Sequence, residues 1–248
     1  MRFVKFIAIA VLPLALAACQ SLSSVSNGPQ PMESSRQSWE HHAPGCQGDD
    51  CPLVNIDLQL PKGDAALNAR IEHDLLMLTR MQADAPLPAS LQDYEREFLA
   101  AAQSGWSSYL QAKIIDQHDR LLVVELSSYV FTGGAHGMPG RALINYDRQT
   151  QQVLSLQDML LPGTEDAFWD AARVAHQDWL DANGLAEDAE YRKNWPFERT
   201  ANIALLGDEL ILKYDVYSIA PYSFGHPVLH IPYSRLGGIL KPWYFPNP

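Results

Sequence analysis

From Leu53 onward the chain alternates. Val54, Ile56, Leu58 and Leu60 fall on one side of an extended backbone, the period-two pattern of a half-buried strand. The period then lengthens. Leu67, Ile71, Leu75, Leu78 and Met81 share one face of a helix that Asp64 can cap, and Pro86 and Pro88 end it. Ser90 to Asp93 has the form of a capping box, with Leu91, Tyr94, Phe98 and Ala102 on the buried side of a second helix. After Gly105 the period returns to two. Tyr109 to Asp116 and Leu121 to Phe131 predict a hairpin turning at Gln117 to Arg120; Ala142 to Tyr146 and Gln152 to Leu156 predict another, turning at Asp147 to Gln151. Thr164 opens a third helix with Phe168, Ala172, Ala175 and Trp179 at helical spacing, and Gly184 is placed to end it. Ala201 to Leu206 and Glu209 to Tyr214 flank Gly207-Asp208, a signal for a type II′ hairpin. Val228 to Ile231 is a last short strand, and Ser234 to Leu240 a helical turn or two. Helices alternating with groups of hairpins predict an α+β fold, helices packed on mixed, largely antiparallel sheets.

The first fifty residues follow a different logic. Arg2 and Lys5 precede an apolar run from Phe6 to Leu16, too short for the roughly 20 residues that span a bilayer. Leu16-Ala17-Ala18-Cys19 then closes it with small residues before a cysteine, which resembles a bacterial lipobox. The resemblance implies cleavage after residue 18 and acylation of Cys19. Gln20 in the next position, where Asp would favour inner-membrane retention, implies the outer membrane, facing the periplasm. Residues 20 to about 45 are rich in Ser, Pro, Gln and Gly and predict a flexible tether. The expected plan is therefore a signal peptide (1–18), a lipidated cysteine with tether and short disulfide loop (19–52), and one domain (53–248), with halves at about 53–132 and 133–248.

Charge and cysteines sharpen this plan. The whole chain has 18 Lys and Arg against 29 Asp and Glu; loss of Arg2 and Lys5 leaves 16 against 29, a net −13. Nucleic acid is thereby disfavoured and a cationic partner favoured. With Cys19 lipidated, Cys46 and Cys51 remain, an even pair separated by the turn-rich Gln47-Gly48-Asp49-Asp50. An oxidising compartment favours a disulfide. The alternative joins both thiolates to His41 and His42 around a metal.

Two segments stand out. One is Tyr129-Val130-Phe131-Thr132-Gly133-Gly134-Ala135-His136-Gly137-Met138-Pro139-Gly140. The other runs Tyr214-Asp215-Val216-Tyr217-Ser218-Ile219-Ala220-Pro221-Tyr222-Ser223-Phe224-Gly225-His226-Pro227 and on to Ile231-Pro232-Tyr233. With the stretch Leu154 to Leu160 they resemble a bacterial domain family typified by the extracellular domain of RsiV, a lysozyme-sensing anti-sigma factor. Phe131 stands where that family's signature has tyrosine. The resemblance covers about residues 53 to 241 and implies an α+β domain outside the cytoplasmic membrane. It points to Thr132, Gly133, Gly134, His136, Tyr217, Pro221, Tyr222, Phe224 and His226 as ligand-binding candidates. The implied partner is a cationic protein such as lysozyme, or a peptidoglycan fragment. Without a cytoplasmic sigma-binding segment, anti-sigma activity is not implied.

Each segment also has a plainer account. The glycines let a strand leave its sheet sharply, His136 can hydrogen-bond the backbone of that turn, and the aromatic rings can pack a core. Catalytic signals are weak: no Gly-x-Ser-x-Gly elbow, phosphate loop or His-Glu-x-x-His is present. His136, His226 and His230 with Asp215 are the one set that would support a metal-assisted envelope hydrolase. No cofactor is expected.

Overall fold

The computed structural model describes residues 30–82 and 84–247. The expected signal peptide, Cys19 and residues 20–29 lie outside them. The fold is α+β and is built on two sheets. Strands β1 (Ser34–His42), β2 (Leu53–Pro61), β3 (Ser107–His118), β4 (Leu121–Phe131), β5 (Met138–Asp147) and β6 (Gln152–Val153) make a six-stranded sheet in sequence order. All neighbours pair antiparallel except β2 and β3. A parallel pair needs a crossover, and helices α1 (Ala65–Leu78) and α2 (Leu91–Ala101) supply it. They bury Leu67, Ile71, Leu75, Leu91 and Tyr94 against Val54, Ile56, Leu110, Leu122, Val124, Leu126 and Ile144 of the sheet. Tyr94 donates or accepts a bond with Ser108 at 2.7 Å inside this core, and burial pushes its hydroxyl pKa up to about 12.

The second unit follows a single helical turn, α3 (Leu156–Met159). It comprises α4 (Glu165–Ala182), the short α5 (Ala189–Asn194) and a three-stranded antiparallel sheet of β7 (Ile203–Leu205), β8 (Glu209–Lys213) and β9 (Val228–Pro232). Its core gathers Phe168, Trp169, Ala172 and Ala175 of α4 with Leu210, Leu212, Leu229 and Ile231 of the sheet. The units meet across β4 and β5. Leu121 to Val124 are buried without alternation, because one face of β4 serves the first core and the other the second. Asn145 on β5 is buried and acts as a strand neighbour would: its amide donates to Ile203 O at 2.6 Å and its oxygen accepts from Leu205 N at 2.8 Å.

Four expectations are corrected. The expected tether does not extend through residues 34–42, since Ser34 to His42 form β1 and pair in full with β2. Only Trp39 of that strand is apolar, so its polar pattern hides it; it forms because the edge of β2 offers unpaired backbone groups. The halves do not part at 132/133: that break falls inside the β4–β5 hairpin, and the two cores separate after β6. Met81 lies past the end of α1 and is exposed. Gly207 lacks the positive φ of a type II′ turn, although Leu206 N still bonds Glu209 O across the two-residue loop. Asp64 and Ser90 do cap α1 and α2, accepting from Leu67 N and Asp93 N. Cys46 and Cys51 form a disulfide, Cα atoms 5.7 Å apart, and His41 bonds Glu95 instead of joining them. The metal alternative at that pair is thereby removed.

Candidate functional site

The glycine-rich segment is the turn of the β4–β5 hairpin. Thr132 to His136 stand in solvent. Gly133 and Gly134 take φ of 96° and 92°, and a Cβ on either would touch nothing, so conformation alone demands glycine there. Gly137 is glycine for another reason. It is buried, and a Cβ would lie 2.4 Å from Cζ of Tyr129, whose hydroxyl accepts from Gly137 N at 3.2 Å.

The aromatic segment leaves β8 and wraps back to β9. Tyr214, Val216, Ile219 and Ala220 point into the core and hold the loop in place. The Tyr214 hydroxyl donates to Glu198 O at 2.8 Å, and burial raises its pKa. Asp215 accepts from Arg141 N at 2.9 Å, which ties the loop to β5. Between these anchors Tyr217 is 47% exposed and takes φ of +66°, a left-handed conformation rare for a bulky side chain. Pro221 leads into a 3₁₀ turn, Tyr222–Phe224, whose Ser223 and Phe224 are exposed.

The two segments, some eighty residues apart, meet at His136. Its ring stacks on Tyr222 with centroids 3.8 Å apart. Nδ1 lies 3.0 Å from Gly137 O; a carbonyl only accepts, so Nδ1 donates. In the neutral ring Nε2 then accepts from the Tyr217 hydroxyl at 3.1 Å. Tyr222 donates its own hydroxyl to the same Gly137 O at 3.0 Å. The ring of Tyr109 packs on Tyr129 at 6.2 Å and extends the patch along the sheet. Thus one surface carries the exposed Thr132, Gly133, Gly134, His136 and Tyr217 and the half-buried Tyr222, which the half-buried Pro221 precedes.

Phe224 and His226 lie to one side, on a groove of about 480 Å³ between α4 and β9 shared with Trp179, Pro227 and His230. The Phe224 ring sits 5.6 Å from Trp179 and 6.2 Å from Tyr191. His226 Nδ1 donates to Tyr214 O at 3.0 Å. Burial, with the nearby Arg141 charge, holds its pKa below the ordinary imidazole value, so the ring is neutral at pH 7. Its Nε2 has no partner among the described residues. The set that would serve a metal does not converge. His136 is held by Tyr217 and Gly137, and His230 by Glu209 at 2.6 Å; only His226 and Asp215 approach each other, at 3.7 Å. Among the described residues no three His, Cys, Asp or Glu side chains gather as metal ligands.

Residues 157–234 match the domain family described as "Protein of unknown function (DUF3298)". A solved DUF3298 family protein from Pseudomonas aeruginosa PAO1 is 57% identical, with a TM-score of 0.83 over 88% of this chain and 98% of that one. This chain belongs to the DUF3298 family. A DUF3298 family structure from Bacteroides fragilis NCTC 9343 shares the fold, with a TM-score of 0.62 at 18% identity over 86% of this chain and 94% of that one. The peptidoglycan-N-acetylmuramic acid deacetylase PdaC of Bacillus subtilis (strain 168) is 27% identical over 137 residues. These are 53% of this chain and 29% of PdaC, so the chain spans less than a third of that relative. Within the DUF3298 protein the family match contains the aromatic segment but not the glycine-rich turn, which β5 brings to it.

Sequence reasoning missed Tyr109, Trp179, Tyr191 and Arg141 as parts of this surface. Tyr109 faces Tyr129 only because a bulge at Ile115 shifts the β3–β4 register by one residue. Trp179 was legible as a helix-face residue of the DUF3298 domain, but not as a groove wall.

Proposed function

We propose that this DUF3298 protein is a cell-envelope binding protein, held at the outer membrane by a lipid on Cys19 and facing the periplasm. Its glycine-rich turn and aromatic segment form the contact surface for a cationic protein of the lysozyme class. One observation carries the reading: Tyr217 is held exposed at positive φ, on a patch assembled from two distant segments. Backbone strain at an exposed aromatic residue marks a position kept for recognition rather than stability. Exposed tyrosine rings on a rigid base are also the side chains that dominate interface energetics. The net −13 of the processed chain favours encounter with a cationic partner. Similarity to a peptidoglycan deacetylase supports a cell-wall setting.

A second reading has its own observation. The groove beside Phe224 combines the flat ring of Trp179 with the polar edges of Asp178, Asn183, His226 and His230. That mixture suits a peptidoglycan fragment, with sugar faces on the rings and hydroxyl or amide groups at the edges. A metal-assisted hydrolase has less support, because its imidazoles are held apart.

The test is titration of residues 20–248 against lysozyme at several salt concentrations, with peptidoglycan fragments in parallel. Binding that weakens with salt and falls at least tenfold in Tyr217→Ala and Tyr222→Ala supports the first reading. Fragment binding lost in Trp179→Ala supports the second. Absence of lysozyme binding even at low salt overturns the first, and absence of both leaves a structural envelope lipoprotein.

A further inference from the structure

We infer that this protein lies on the bilayer through the end of the fold that carries Trp243, so that the His136–Tyr217 patch points away from the membrane. The inference rests on the lipid anchor proposed above and adds which face the anchor brings to the lipid. It begins with where the described chain starts. Gln30 O accepts from Arg148 Nη1 at 2.7 Å, and Arg148 also donates to Asp119 O. The Asp119 carboxylate accepts from Asn247 N at 3.0 Å and from Asn247 Nδ2 at 2.5 Å. The entry of the chain, the β3–β4 turn, the β5–β6 turn and the C-terminal segment are thereby tied together at one end of the large sheet.

That same end exposes an aromatic residue at the rim of the core, packed edge-on against the buried Tyr244 with centroids 6.0 Å apart. Trp243 lies in a 3₁₀ turn, Pro242–Tyr244, four residues before Asn247, and is 52% exposed. Its neighbour Tyr244 is buried and packs under Arg120. Lys241 sits 6.0 Å from the Trp243 ring. An exposed indole beside a lysine is the pairing that settles at the membrane–water interface, where the ring is half wet and the ammonium meets phosphate. The acids nearest to it are engaged: Asp119 by Asn247, Asp147 by Arg120, Asp158 by Ser155. Of these only Asp147 has a cationic partner; Asp119 and Asp158 keep their charge, so this end suits a zwitterionic rather than an anionic headgroup layer.

Distance keeps this end of the fold near the bilayer. From Cys19 to Gln30 is a span of residues 20–29, whose greatest reach at about 3.5 Å per residue is about 38 Å. A tether this short holds the adjoining surface near the bilayer at about millimolar effective concentration, so that even a weak interfacial contact stays occupied. The recognition patch begins where β4 ends. Ten residue steps lead from the tether end of β4 at Leu121 to Phe131, which at about 3.3 Å each puts the patch about 33 Å further out.

The experiment uses full-length lipidated protein reconstituted into vesicles with brominated or ordinary phospholipid. Flotation reports the anchor, and tryptophan fluorescence reports the docked face. The expected result is that the protein floats, that brominated lipid quenches the wild type, and that Trp243→Phe removes most of that quenching. Protein that floats but is quenched equally with and without Trp243, or not at all, overturns the docked face and leaves the anchor standing. Protein that does not float overturns the anchor and this inference together.

Discussion

Tyr217 offers a test in which the usual ranking of two substitutions reverses. At ordinary strand or helix positions glycine is less stable than alanine by about 0.5–1 kcal/mol, because the unfolded glycine chain has more freedom to lose. At φ of +66° the ranking changes, since a Cβ there costs about 1–2 kcal/mol and glycine escapes it. Tyr217→Ala and Tyr217→Gly both delete the hydroxyl bond to His136 and the ring packing on Tyr222, 5.7 Å away between centroids. What remains between them is the backbone. Tyr217→Gly is therefore expected to be more stable than Tyr217→Ala by about 1 kcal/mol, or about 2–4 °C in Tm for a chain of this size. Thermal and urea unfolding followed by circular dichroism would measure it. Both variants are expected to lose lysozyme binding by tenfold or more, since the ring is gone in each. Alanine equal to or more stable than glycine would refute the strain argument. Full binding by both variants would refute the role of the ring.

Other outcomes follow from the same geometry. Gly137→Ala is expected to cost about 1–3 kcal/mol by forcing the Tyr129 ring aside. Gly237→Ala, where a Cβ meets nothing, serves as a neutral control in the same melts. Asn145→Ala strands the buried Ile203 O and Leu205 N and is expected to cost about 2–4 kcal/mol, read from urea midpoints. At Asp147, burial by itself would raise the carboxyl pKa, but Arg120 and the amides of Gln149 and Thr150 outweigh it and hold it below the usual range. Its contribution is thus present in full above the unfolded pKa of about 3.9 and lost as pH falls through the folded value. Arg120→Met leaves that carboxylate buried without a counter-charge, a loss of about 3–5 kcal/mol at pH 7 that should shrink towards acid pH, where the variant's carboxyl, freed of Arg120, protonates before the wild type's. A deficit that grows towards acid pH would show the pair to be unimportant.

Much of the fold was legible because it is written locally. The alternation from Val54 to Leu58, the helix face of Phe168, Ala172 and Ala175, and the caps at Asp64 and Ser90 depend on residues two to four positions apart. Steric and hydrogen-bonding rules act at that range, so the pattern and the element agree. The hairpins at Asp119 and at Gly207-Asp208 were found for the same reason, though the turn type at Gly207 depends on its setting. Strand β1 was not legible. Eight of its nine residues are not apolar, and what recruits it is the open edge of β2, a feature of the assembled sheet.

The site divides in the same way. Its two segments were visible as unusual runs of glycine and aromatic residues, and the sequence alone made Thr132 to His136 a sharp turn. It could not tell that this turn closes a hairpin rather than parting two halves, nor that His136 would lie on Tyr222. Those facts depend on β5 joining both sheets, through Asn145 on one side and Arg141 to Asp215 on the other. Period and turn chemistry decide what each stretch becomes, because they are settled within one turn of chain. Which stretches meet is decided only when the remaining apolar faces and unpaired backbone groups find one another, and at that stage Tyr217 acquires both its strain and its partner.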